Sequence, residues 1–92
     1  MLEIKFTASM KRGIKRLEKQ GKDMSKLRAV LLLLAAGKLL PPQNKDHLLA
    51  GNKKSFRECH VEPDWLLMYQ IRQSELILLA VDTGSHADLF GL

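Results

Sequence analysis

The chain is 92 residues long, room for one domain with a modest core and too short for two. With 46% apolar and 27% charged residues, it is too hydrophobic to be disordered throughout. Lys and Arg outnumber Asp and Glu by 15 to 10, and the net charge of +5 draws polyanions, nucleic acid foremost, while serving solubility equally well.

Leu2 to Thr7 alternates apolar and polar residues, which predicts a short strand with Leu2, Ile4 and Phe6 on one face. Thr7 or Ser9 then caps a helix. Its core stripe is Met10, Ile14 and Leu17, its other faces carry Lys11, Arg12, Lys15, Arg16 and Lys19, and Gly21 closes it. Asp23 or Ser25 opens a second helix on Leu27, Val30, Leu31 and Leu34, a stripe widened by Leu32 and Leu33. Gly37 stops this helix, and Pro41 and Pro42 forbid its continuation. Residues 41–54 read as a loop with a short extended piece around His47 to Leu49. Residues 55–62 read as a strand interrupted by Pro63, with Asp64 as a turn residue. Residues 65–72 are apolar on both faces, as a central strand should be, and 76–81 form a hairpin with them across a turn at 73–75. A polar tail, 82–92, ends in Leu89 and Phe90. The expected fold is α+β: one domain, 1–92, with an N-terminal strand and two helices packed on a small, mostly antiparallel sheet.

Cys59 stands alone, so no internal disulfide is possible, and it reads as a small packing residue rather than a nucleophile. The absence of cysteine pairs and of a basic-then-apolar leader at Met1 to Phe6 predicts a cytoplasmic protein. Ala29 to Ala36, the longest apolar run, falls far short of the roughly 20 residues needed to cross a bilayer, so no membrane is expected.

Three histidines, His47, His60 and His86, all lie beside turn or loop signals in the second half. Histidine gives and takes protons near neutrality, and RNA cleavage needs both acts. A base removes the 2′-hydroxyl proton, an acid protonates the departing 5′-oxygen, and a cation balances the phosphate. Taken singly, each histidine is more often a surface or core residue. Asp64, four residues after His60, either orients a histidine or only forms a turn. Trp65 either stacks on a base or opens the central strand as core. Phe90, four residues after His86, either stacks or docks the tail. No Cys pair, no recognised ligand spacing and no Gly-rich phosphate loop occur, so neither metal nor cofactor is expected.

Three blocks stand in order: KDHLLAG (45–51), FRECHVEPDWLLMY (56–69) and TGSHADLFG (83–91). Together, with H-V-x-P-D-W and G-x-H-x-x-L-F at their centres, they resemble the YafQ-type toxins of the RelE superfamily of bacterial toxin–antitoxin systems, and the resemblance runs the whole length. It implies a RelE-like fold and a ribosome-dependent mRNA endonuclease. Such an enzyme enters the A site, cuts the message by metal-independent acid–base catalysis and is held inactive by a cognate antitoxin. It also implies that operator DNA is met only through the antitoxin complex. By the same resemblance His47, His60, Asp64 and His86 are catalytic, and Arg57, Trp65 and Phe90 touch the substrate. Asp82 stands where some relatives carry a basic residue, which leaves Arg57, Lys53 and Lys54 to balance the phosphate. A non-catalytic toxin on the same scaffold, as in gyrase-directed relatives, or a plain basic nucleic-acid-binding module stays open, because fold alone does not choose. The three histidines favour the nuclease.

Overall fold

Thr7 ends the first strand and begins the first helix. Its hydroxyl accepts from the Met10 N–H (3.0 Å) and donates to the Val81 carbonyl, so the cap also stitches the helix to the last strand. In the computed structural model, which describes residues 1–51 and 55–91, β1 (Glu3–Phe6) leads through this cap into α1 (Ala8–Lys19). Asp23 caps α2 (Met24–Ala35) by accepting from the Ser25 N–H at 3.0 Å. A short 3-10 turn, Pro42–Asn44, precedes β2 (His47–Leu48). β3 (Arg57–Glu62), β4 (Trp65–Arg72), β5 (Ile77–Gly84) and α3 (His86–Phe90) follow.

The strand order is β1-β5-β4-β3-β2. β1 runs parallel to β5, and the other three pairs are antiparallel. α1 and α2 cover one face. Met10, Leu17, Leu27, Val30, Leu31 and Leu34 pack there on Cys59, Trp65, Leu67, Tyr69, Leu78 and Ala80. Each large side chain fully buried in this way contributes about 1.5–3 kcal/mol. Gly13 lets α1 lie directly on β5, since a Cβ at that position would stand 2.5 Å from the Thr83 carbonyl oxygen.

Two expectations need correction. The last strand does not stop at Val81. It continues through Asp82, Thr83 and Gly84 opposite Met68, Leu67 and Leu66, after an irregularity that leaves Val81 unpaired. The polar tail also carries an element that was not expected, for Ser85 caps the five-residue helix α3.

Candidate active site

The start of β4 is the meeting point. Leu66 pairs with His60 on one side and with Gly84 on the other. β3 and β5 are therefore not neighbours; β4 lies between them. Ser85 and Asp88 close the gap through a capping box, the Ser85 hydroxyl accepting from the Asp88 N–H (3.1 Å) and the Asp88 carboxylate accepting from the Ser85 N–H (3.0 Å). Gly84 makes the turn possible. Its φ is +152°, and a Cβ there would stand 2.8 Å from both the Arg16 guanidinium and the Asp88 carboxylate. Arg16 reaches across from α1, donating to the Thr83 carbonyl at 3.1 Å and lying 3.3 Å from Asp88. The result is that His86, first residue of α3, sits with its ring centroid 5.8 Å from that of His60, the rings inclined at 59°.

Hydrogen bonds fix the tautomers. The Pro63 carbonyl, 3.1 Å from His60 Nδ1, can only accept, so Nδ1 carries the proton. The same holds for His47 Nδ1 against the Lys45 carbonyl at 2.7 Å. Asp64 Oδ1 takes both the His86 backbone N–H (3.0 Å) and the His86 Nδ1–H (2.6 Å). Those two donors, the backbone one first, hold the Asp64 carboxyl below the ordinary carboxylate range, so it is ionised at neutral pH. In each imidazole Nε2 is thus the ring nitrogen left out of these bonds. The His60 and His86 rings come together at one end of the sheet, beside a cleft of about 220 Å³ lined by Asn44, Lys45, His60 and Pro63. Asn44 ties that cleft wall to β3 by donating to the His60 carbonyl at 2.6 Å.

His47 lies further along. It pairs with Glu58, which shares a face of β3 with His60 because side chains alternate along a strand. His47 Nε2 stands 3.6 Å from Glu58 Oε1. Glu58 is 5% exposed, and its Oε2 has no partner among the described residues. Phe90, exposed, closes α3 one turn beyond His86.

Other expected site residues are not where the sequence put them. Trp65 is fully buried and donates its indole N–H to the Thr83 hydroxyl at 3.0 Å, so neither ring face is open to a base; it is core. Arg57 lies on the helix-covered face, paired with Asp46 and Tyr69, away from the imidazoles. Asp82 accepts from the Thr83 N–H and supplies no cation. Lys53 and Lys54 lie outside the described residues; Lys45, on the cleft wall, is a basic residue the sequence had not singled out. Burial pushes the Cys59 thiol up to about 12, which rules out a thiolate nucleophile. Among the described residues, no group of three His, Cys, Asp or Glu side chains is placed to hold a metal ion.

Known proteins agree with this frame. The family model for a bacterial toxin of type II toxin–antitoxin systems, YafQ, matches residues 2–91. The mRNA interferase toxin YafQ of Escherichia coli (strain K12) is 40% identical over 90 residues, 97% of this chain and 96% of the relative. The crystal structure of a metal-bound toxin from Helicobacter pylori superposes with a TM-score of 0.93 at 44% identity, covering 98% of this chain and all of that one. The toxin in the E. coli DinJ–YafQ complex superposes at 0.89 with 37% identity, covering 99% of this chain and all of that one.

Proposed function

The chain belongs to the YafQ family of toxins from bacterial type II toxin–antitoxin systems, and from that membership we propose that it cuts messenger RNA in the ribosomal A site by histidine acid–base catalysis. It is an endoribonuclease of the mRNA interferase class, and its partner is a cognate antitoxin. The observation that carries the mechanism is the His60–His86 pair, 5.8 Å apart, each with Nδ1 tied and Nε2 left out of those bonds.

One imidazole, neutral, takes the 2′-hydroxyl proton at Nε2 as the 2′-oxygen attacks phosphorus. The P–O5′ bond breaks, and the other imidazole, protonated, gives its Nε2 proton to the leaving 5′-oxygen. A 2′,3′-cyclic phosphate and a 5′-hydroxyl result. Asp64 holds His86 in one tautomer and orientation. His47 acts from further along the same strand face, Lys45 on the cleft wall balances phosphate charge in place of Arg57, and Phe90 stacks on a base of the message. The ribosome supplies the alignment that a 92-residue enzyme with an open cleft lacks, so free RNA is a poor substrate. No described helix is long and apolar enough to cross a membrane, in keeping with work in the cytoplasm. Operator DNA is met only through the antitoxin complex.

The test is single-turnover cleavage of a programmed ribosome. His86→Ala should slow it by about a hundredfold or more, with His60→Ala close behind, while antitoxin binding is kept. If both variants cut at the wild-type rate, the histidine assignment falls; if the wild type does not cut, the non-catalytic reading takes its place.

A further inference from the structure

Arg57 has a partner network on the side of the sheet away from the cleft. It stands opposite Tyr69 on the adjacent strand β4, and one oxygen of Asp46 gathers both side chains. The Tyr69 hydroxyl donates to Asp46 Oδ1 at 2.5 Å, and Arg57 Nε lies 3.3 Å from that oxygen and 3.3 Å from the Tyr69 hydroxyl. Tyr69 is 1% exposed. Asp46 belongs to no strand; it immediately precedes β2. A loop carboxylate is thus fastened to two neighbouring strands.

The residue after Asp46 is His47, and the residue before it is Lys45, whose carbonyl receives His47 Nδ1–H. Lys45 has φ +49°, a left-handed conformation that a non-glycine residue holds only when its surroundings impose it. β2 is two residues long, and two ladder pairs are weak restraint for a loop. Side-chain anchoring must supply the rest, and Asp46 supplies it from the middle of the segment.

We propose that Tyr69 and Arg57, acting through Asp46, are positioning residues for His47: they fix the Lys45–His47 backbone so that the imidazole keeps its Nδ1–H on the Lys45 carbonyl and its Nε2 beside Glu58. This rests on the reading of His47 as a site residue. The protonation states suit the task. Burial first, then the bond to Asp46, pushes the Tyr69 phenol up, so it stays a donor throughout the physiological range. Burial lowers Arg57, but its bonds to Asp46 and Tyr69 outweigh that and raise it overall.

Tyr69→Phe removes the hydroxyl and leaves the ring. In nitrogen-detected NMR of the intact protein, His47 Nδ1 should be fully protonated in the wild type and only partly so in Tyr69→Phe. Single-turnover cleavage on programmed ribosomes should fall roughly tenfold to a hundredfold in maximum rate, with the half-saturating ribosome concentration unchanged. In a His47→Ala background the same change should have less than about a twofold effect, because coupled residues are not additive. Two results overturn the proposal: an unchanged His47 spectrum in Tyr69→Phe, or an equal loss of rate in both backgrounds, which would place the hydroxyl's effect in general stability. Should Tyr69→Phe fail to fold, Asp46→Asn carries the same expectations. Should the wild type fail to cleave, the nuclease reading falls, and the His47 spectrum still decides the positioning.

Discussion

Replacing Thr83 with Val tests the joint on which Trp65 and the end of β5 depend. Thr83 is fully buried, and its hydroxyl accepts from Trp65 Nε1 at 3.0 Å while donating to the Leu66 carbonyl at 2.7 Å. Val keeps the shape and loses the oxygen. Trp65 is 0% exposed, so its N–H finds no water, and a buried donor left unpaired costs about 1–3 kcal/mol. Losing the bond to Leu66 adds about 0.5–1.5 kcal/mol. The sum, about 3 kcal/mol, is a large share of the roughly 5–14 kcal/mol expected for a domain of this length. It should lower Tm by about 12–24 °C. Thr83→Ser keeps the hydroxyl and removes a methyl, a loss of about 1 kcal/mol. Packing volume alone ranks Val above Ser; the hydrogen-bond argument ranks Ser above Val. Trp65 is the single tryptophan, so its fluorescence during thermal unfolding reports the joint directly. A Thr83→Val protein as stable as wild type, or more stable than Thr83→Ser, would refute the reasoning.

Asp64→Asn keeps the size and removes the charge that holds His86. Because the Asp64 side chain is 70% exposed, the single-turnover rate should drop by roughly tenfold or more while the unfolding midpoint scarcely moves; an unchanged rate would remove Asp64 from the site. Gly13→Ala puts a Cβ 2.5 Å from the Thr83 carbonyl oxygen, and overpacking of that kind costs about 1–3 kcal/mol, read as a lower urea midpoint at constant slope. Stability should also fall in acid. Bonds from Ser25 to Asp23, Lys26 and Lys22 to Glu62, His86 to Asp64, and Ser85 to Asp88 all hold folded carboxyls below their ordinary 3.8–4.5. Their contribution is present above those values and lost as pH falls through the depressed ones, so a Tm that stays flat from about pH 6 to about pH 3 would contradict the assignments. Lys26, raised by Glu62, behaves oppositely: its contribution is full below 10.5 and lost above.

Periodicity made α1, α2, β4 and the β4–β5 hairpin legible, because each is long enough to show which face is apolar. α3 was hidden, since five residues do not complete two turns; the trace it left was Ser85 three places before Asp88, a capping box with Asp in place of the usual Glu. Asp82 to Gly84 read as the start of a polar tail because strand composition is judged by apolar content, whereas here the ladder to β4 holds polar residues extended. The three histidines, Asp64 and Phe90 were visible as residue types, and the contact between His60 and His86 was not, since it depends on α3 folding back. The misplacement of Arg57 was avoidable. Arg57 and Cys59 share one face of a strand and His60 takes the other, so a buried Cys59 puts Arg57 away from the cleft. The Asp46 network left one clue: a tyrosine hydroxyl buried in a central strand needs a partner.

The sheet's order has a temporal side. β5 touches both β1 and β4, yet it is the last strand to be synthesised. A nascent chain carrying β1, α1, α2 and the β3–β4 hairpin holds two fragments of sheet and lacks the strand that joins them. Closing the β1–β5 ladder spans more than seventy residues of sequence, the kind of long-range step that slows folding. His86 follows β5 directly, so the second imidazole arrives with the strand that completes the fold. A truncation anywhere before β5 therefore yields a peptide with neither a joined sheet nor the His60–His86 pair.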